Sequence, residues 1–231
     1  LAVRRQRQMC IRDRYKPECL YIYSSAIPIE SDRFEDFYDK ENVLSRPEYL
    51  KNLSENHKII GITGTHGKTS TTALLSHIFH FNNVNVSYLY GGITTFNGIG
   101  GHYGDPDQPL ILETDEAFNT FEKIKISDLL VLNVDSDHLD YFKNLDNYKD
   151  AFYKVMKNVT DNLVINNDDL NIKSMKDLKN PVSYGIDTSA DFKVQSPGNF
   201  KYENNKYEIK SEIIGDHFKS NMLGAVILAL L

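Results

Sequence analysis

The stretch Gly61-Ile-Thr-Gly-Thr-His-Gly-Lys-Thr69 limits the possible folds of this chain more than any other feature. The apolar run KIIGIT, which predicts a strand, leads into it, and apolar residues at helical spacing follow from about Lys68 to Phe81. A glycine-containing loop between a strand and a helix lets backbone N–H groups approach an anion, and the helix amino terminus adds partial positive charge. The sequence therefore predicts a phosphate-binding loop in an α/β fold.

The residue types in this loop suit a nucleotide. Lys68 can bridge terminal phosphates, and the hydroxyl of Thr69 can reach Mg²⁺. The strict Walker spacing requires glycine at position 62, where this chain has Ile62, so a tight turn with an incidental Lys-Thr pair is the alternative. Because a strand precedes the loop and a helix follows it, we favour nucleotide contacts from Gly64, Thr65, His66, Gly67, Lys68, Thr69 and Ser70.

Strands and helices alternate along most of the chain. Further strands are predicted at 20–23, 84–90, 110–113, 129–134 and 163–166, and helices at 31–39, 47–56, near Phe121, at 145–157 and at 170–178. This alternation predicts a doubly wound, mostly parallel sheet. After Pro181 the pattern changes to short strands with a hairpin tip at Asn204-Asn205, and a last helix begins near His217.

Composition and charge narrow the function classes. The formal net charge is −6, and residues 1–14 contain five arginines against one aspartate, so the remainder is near −10, the wrong sign for a nucleic-acid surface. The basic segment is open to three interpretations, an RNA-binding arm, a transit peptide or a foreign stretch, and we favour the last. No apolar run reaches the length of a membrane span. Two cysteines cannot form a disulfide framework, which fits the cytoplasm.

Two further strands end in polar residues. One is followed by Glu113-Thr-Asp-Glu116 and the other by Asp135-Ser-Asp-His138. The carboxyl ends of parallel strands meet at one edge of a sheet, which is the edge of the phosphate loop. We therefore expect Thr69 and Glu113 to bind Mg²⁺. His138 is less expected on Mg²⁺ and would bind a second metal, accept Mn²⁺ in its place, or act through water. Solvated loop charges and a capping histidine are the alternative interpretation.

These motifs together resemble the Mur ligase family of amide ligases. The carrying residues are GTHGKT, the acidic strand end, the Asp-His strand end, Ser24 to Ile27, Gly91-Gly92, Asn133 to Asp140, Asn167 to Asp169, and Gly215 to His217 with Asn221. His66 points to the branch that adds L-alanine or to its relative that attaches a tripeptide, and the Leu139-Asp-Tyr141 continuation after His138 is more similar to the first. The resemblance covers nearly all of 20–231.

The resemblance implies an enzyme that uses ATP and Mg²⁺ to join L-alanine to the carboxylate of UDP-N-acetylmuramate through an acyl phosphate, in peptidoglycan precursor synthesis. Carried over by position, the catalytic residues are Lys68 on the ATP phosphates, Glu113 with Thr69 on Mg²⁺, and His138 on a second metal, while His217 and Asn221 lie at the adenine. It further implies that 15–57 is the end of the UDP-sugar-binding domain, that 58–231 is the ATP-binding central domain, and that a C-terminal ligase domain is absent.

Three departures from the family pattern and three alternative functions follow from the sequence. The most serious departure is the absent C-terminal ligase domain, without which we expect no turnover from the chain as given. Ala117 to Asn119 and Phe218 differ from the family's usual residues, which predicts altered substrate and adenine contacts. The alternatives are the branch that attaches a ready-made tripeptide, a nucleotide-binding module without catalysis, and the RNA-binding protein considered above.

Overall fold

The computed structural model describes residues 18–24, 41–93, 98–115, 120–135, 142–185, 189–196, 199–202, 205–209 and 215–231. The chain divides into two compact units, Leu1–Leu53 and Ser54–Leu231. The basic segment 1–14 and the helix expected at 31–39 lie outside the described residues. The domain boundaries inferred above stay predictions.

The first unit contains a short parallel pair, β1 (Tyr21–Tyr23) and β2 (Val43–Ser45). Helix α1 (Arg46–Asn56) follows β2 directly. Its start is capped reciprocally, because Glu48 Oε2 accepts from the Ser45 backbone N at 2.9 Å while Ser45 Oγ accepts from the Glu48 N at 3.4 Å. The Ser and Glu types at this spacing are those of a capping box.

The strands of the second unit are β3 (Ile59–Thr63), β4 (Ser87–Leu89), β5 (Gly101–His102), β6 (Leu110–Glu113), β7 (Asp128–Val131), β8 (Leu163–Asn166), β9 (Val182–Gly185), β10 (Phe192–Ser196), β11 (Asn199–Tyr202) and β12 (Asn205–Glu208). They form one ten-stranded sheet in the order β12-β11-β10-β9-β8-β7-β3-β6-β4-β5. The seven successive strands β10-β9-β8-β7-β3-β6-β4 pair in parallel with one another. At the two edges, β5 pairs antiparallel with β4, β11 with β10, and β12 with β11. The mostly parallel sheet confirms the predicted fold class.

Helices bury both faces of the central strands. Ile60, Ile62 and Leu130 belong to the main apolar core, and their sequence neighbours Ile59 and Leu129 are buried as well. Since alternate strand residues point to opposite faces, both faces of the sheet are covered. The helices are α2 (Lys68–Phe81), α3 (Thr120–Lys123), α4 (Leu145–Lys157), α5 (Leu170–Ser174) and α6 (Asp216–Leu230).

Several element ends differ from the predicted ones for reasons visible in the structure. β7 stops at Val131 rather than 134, because the Val134 N–H donates to Asp169 Oδ2 at 3.0 Å instead of to a strand. β4 begins only at Ser87, since the Val84 N–H still donates to the Phe79 carbonyl of α2 and the Val86 N–H donates to the Val84 carbonyl. α5 stops at Ser174 because Met175 is extended. The expected hairpin is formed by β11 and β12, but Asn205 is the first residue of β12 and pairs with Tyr202, while Asn204 lies outside the described residues.

Among the described residues, no helix combines the length and the apolar character needed to cross a bilayer.

Candidate nucleotide-binding site

The predicted phosphate loop lies between β3, which ends at Thr63, and α2, which begins at Lys68. Gly67 occupies the position before the helix with φ 84° and ψ 1°, and no side chain caps the first turn. The first N–H groups of a helix have no acceptor inside the helix. An anion placed at this end would accept from them and face the positive end of the helix dipole.

Two glycines in the loop are required by close contacts. A Cβ on Gly64 would lie 3.0 Å from Leu132 Cβ and 3.1 Å from the Asn133 backbone N, and its φ of 148° already disfavours side chains. A Cβ on Gly67 would overlap the side-chain amide of Asn221, which comes from α6. These contacts place the loop between the end of β7 and α6.

Lys68 lies along the loop. Its Nζ donates to the Gly64 carbonyl at 2.7 Å and to the Thr65 carbonyl at 3.3 Å. The side chain is half-buried, and these two hydrogen bonds hold its ammonium group beside the amino terminus of the helix. This is the place where a bound phosphate would meet both the helix N–H groups and a positive charge.

Glu113, at the end of β6, is held against the start of α2. Its Oε1 accepts from the Thr69 hydroxyl at 2.7 Å, its Oε2 accepts from the Gly91 N–H at 2.6 Å, and the residue is only 9% exposed. β6 is the direct parallel neighbour of β3, which explains why their carboxyl ends lie together. Through its bond to Thr69, in the first turn of α2, the Glu113 carboxylate lies next to the phosphate loop.

The oxygens of Thr69 and Glu113 fit a hard cation. A hydroxyl and a carboxylate beside phosphate are typical Mg²⁺ ligands. Within the described part of the chain, no group of three or more His, Cys, Asp or Glu side chains is arranged to hold a metal. His138, expected on a second metal, lies outside the described residues, as do Glu116 to Asn119.

The other predicted site residues come from α2 and α6. Ser70 is exposed on the first turn of α2. Asn221 lies against Gly67, and His217, one helical turn earlier on the same face of α6, is exposed. The structure thus brings the loop, Glu113 and Asn221 together, while their roles stay predictions.

Two residues at the loop were not predicted as site residues. Asn133, just after β7, bonds the backbone of His66 through its side-chain amide. Tyr148, fully buried on α4, bonds the Thr65 hydroxyl at 3.0 Å. A polar residue after a strand was a usable signal for Asn133. Tyr148 gave none, since its pattern is that of an ordinary core residue in a helix.

Comparison with known proteins places this arrangement in a family. The family model "Mur ligase middle domain" matches residues 62–229. This chain is 32% identical to the UDP-N-acetylmuramate--L-alanine ligase of Clostridium botulinum (strain Langeland), over 95% of this chain and 51% of that protein. It is 31% identical to the UDP-N-acetylmuramate--L-alanine ligase of Cytophaga hutchinsonii, over 78% of this chain and 40% of that protein. The chain spans about half the length of the curated relatives that it matches.

Solved structures show the same fold. UDP-N-acetylmuramate-alanine ligase from Thermotoga maritima superposes with a TM-score of 0.77 at 22% identity, covering 94% of this chain and 52% of that one. The UDP-N-acetylmuramate:L-alanyl-gamma-D-glutamyl-meso-diaminopimelate ligase from Neisseria meningitides gives 0.74 at 19% identity, covering 90% and 73%. With the family model matching most of the chain, the chain belongs to the Mur ligase family, and residues 62–229 are its middle domain.

Proposed function

We propose that this chain is the ATP-binding part of a ligase that uses ATP to join L-alanine to the carboxylate of UDP-N-acetylmuramate. The observation that carries the proposal is the Thr69–Glu113 contact of 2.7 Å beside the Lys68 ammonium at an uncapped helix start. This arrangement combines a phosphate site with a pair of magnesium ligands. The names of the relatives that are about one-third identical support the choice of substrates.

The chemistry proceeds in two displacements. A carboxylate oxygen of UDP-N-acetylmuramate attacks the γ-phosphorus of ATP, and the bond between that phosphorus and the oxygen shared with the β-phosphate breaks. The products of this step are an acyl phosphate and ADP. The amine of L-alanine then attacks the acyl carbon, and the tetrahedral species expels inorganic phosphate as the amide forms. Both displacements depend on aligning the reacting atoms and balancing phosphate charge.

The residues of this chain supply the phosphate end of that reaction. Lys68 exchanges its loop carbonyls for terminal phosphate oxygens, and the first turn of α2 donates N–H groups to them. Thr69 and Glu113 would hold Mg²⁺, which supplies charge neutralisation on the phosphates when bound. Asn221, beside Gly67, and His217 on the same helix face are proposed to hold the adenine.

The remaining assignments are part of the same proposal. Residues 15–57 are assigned to a UDP-sugar-binding domain and 58–231 to the ATP-binding domain. His138 is assigned to a second metal. Residues 1–14 are assigned no function in the ligase reaction, so their deletion should leave nucleotide affinity unchanged.

The test is phosphate release from ATP by this chain extended to the length of its relatives. UDP-N-acetylmuramate is supplied with L-alanine, with the tripeptide L-alanyl-γ-D-glutamyl-meso-diaminopimelate, or with no acceptor, and Lys68→Ala is the control for background release. Release that requires L-alanine supports the proposal. Release only with tripeptide reassigns the acceptor, and binding of ATP without acceptor-dependent release identifies a nucleotide-binding module.

A further inference from the structure

The phosphate loop is tied to the residues that follow β7. The Thr65 N–H donates to the Asn133 carbonyl at 3.1 Å. The His66 N–H donates to Asn133 Oδ1 at 2.8 Å, and Asn133 Nδ2 donates back to the His66 carbonyl at 3.0 Å. One asparagine therefore satisfies three backbone groups of two consecutive loop residues.

The Thr65 side chain makes a second attachment, which is buried. Its Oγ1 accepts from the Asp135 N–H at 2.8 Å and shares a hydrogen bond of 3.0 Å with the Tyr148 hydroxyl. Thr65 is 6% exposed and Tyr148 is 0% exposed. The Tyr148 ring packs edge-on against Phe142 and Phe152, each at 5.0 Å between centroids. Packing thus fixes where the hydroxyl points.

These bonds decide which groups of the loop can meet a phosphate. The N–H groups of Thr65 and His66 are both occupied by Asn133. These two N–H groups are therefore not available to a phosphate, which would meet the first turn of α2 and the Lys68 ammonium. A loop that contains two glycines would sample many shapes without such attachments, and ordering it on binding would lower the affinity.

We infer that Asn133 and Tyr148 are positioning residues that hold the phosphate loop in its nucleotide-binding shape before the nucleotide arrives. Tyr148 acts through the Thr65 hydroxyl, and Asn133 acts through the backbone of Thr65 and His66. The inference rests on the proposed function for the identity of the ligand, whereas the attachment itself is tested without any ligand.

The experiment compares the unsubstituted chain with Tyr148→Phe, Thr65→Val and the double variant. Tyr153→Phe, which removes a hydroxyl from a half-buried tyrosine on the same helix, is the matched control. Thr65→Ser keeps the hydroxyl and is the conservative variant. Two quantities are measured, amide hydrogen exchange of peptides covering Gly64 to Lys68 without nucleotide, and the affinity for MgADP.

We expect Tyr148→Phe to speed loop exchange and to weaken MgADP binding by about threefold to tenfold, the usual effect of one lost hydrogen bond. Thr65→Val also removes the hydrogen bond from the Asp135 N–H, so its effect should be at least as large. The double variant should be no worse than Thr65→Val alone, because that substitution already removes the bond to Tyr148. Tyr153→Phe should behave as the unsubstituted chain does, and Thr65→Ser, which keeps the hydroxyl, should show slower loop exchange and tighter MgADP binding than Thr65→Val.

Three results decide against parts of this picture. Unchanged loop exchange in both single variants overturns the attachment, even if the melting temperature falls, since a purely structural tyrosine would lower only the latter. Faster loop exchange with unchanged MgADP affinity overturns the positioning role. Failure of the unsubstituted chain to bind MgADP refutes the proposed function, and the attachment is then judged by exchange alone.

Discussion

Replacing Gly67 with alanine tests the close contact between the phosphate loop and the Asn221 side chain of α6. Gly67 has φ 84°, and an added Cβ would overlap Asn221 Nδ2 while lying 3.4 Å from Asn221 Cγ and 3.7 Å from Leu132 Cδ1. The overlapping atom is the tip of a rotatable side chain, so the amide can turn away. The substitution should therefore strain the backbone and displace Asn221 at the same time.

The two effects have different magnitudes and different readouts. A left-handed backbone costs a non-glycine residue roughly 1–2 kcal/mol, which should appear as lost stability. Displacing Asn221 removes a polar group proposed to contact the nucleotide, worth about 0.5–1.5 kcal/mol or a twofold to tenfold loss of affinity. Gly98→Ala is the matched control, because Gly98 has φ 71° with nothing within 4 Å of an added Cβ.

The assays are urea denaturation and MgADP binding on both variants. Gly67→Ala and Gly98→Ala should lose similar stability, while only Gly67→Ala should lose nucleotide affinity. Adding Asn221→Ala to Gly67→Ala should then cause little further loss, because the amide has already been displaced. Unchanged MgADP affinity in Gly67→Ala would show that neither the loop shape nor the Asn221 amide matters for binding.

Three other predictions address the site and the core. Lys68→Ala should weaken MgATP binding at least about tenfold with little change in melting temperature, since the lost partner is a charged donor to phosphate; titration calorimetry showing unchanged affinity would refute the phosphate-loop assignment. Glu113→Gln should leave the fold intact but reduce the dependence of nucleotide binding on Mg²⁺, whereas Asp107→Asn, at an exposed acid, should not. Burial raises the pKa of Tyr184 above its ordinary 10.0, so the unfolded chain ionises first and stability should fall as pH rises above about 10. Tyr184→Phe should reduce that alkaline loss in denaturation curves, and an unchanged slope would contradict it.

Elements with strong local signals were predicted to the residue. α2 at Lys68–Phe81, α4 at Leu145–Lys157, β6 at Leu110–Glu113 and β8 at Leu163–Asn166 have the predicted bounds. The helices have clear apolar spacing, and α4 also has Asn144 as a cap that accepts from the Asn147 N–H at 2.8 Å. Element ends that depend on distant partners, such as the end of β7, were predicted wrongly.

The residues of the site likewise divide into those with a local sequence signal and those that depend on distant partners. Gly64, Gly67 and Lys68 could be predicted because one loop sequence contains them all, whereas the partners that shape the loop lie far along the chain. Glu113 is 44 residues from Thr69, and Tyr148 is 83 residues from Thr65. No local pattern connects such pairs, so the sequence indicated Glu113 only through the strand-end argument and did not indicate Tyr148.

Sheet topology is what brings these distant partners to the loop. β3 pairs in parallel with β6 on one side and with β7 on the other, so the loop after β3 lies between two other strand ends. The β6 end supplies the carboxylate of Glu113, and the residues after β7 supply Asn133. A different strand order would keep the loop motif but separate it from both partners. The loop sequence alone is therefore insufficient for this site, which also requires β3 to lie between β6 and β7.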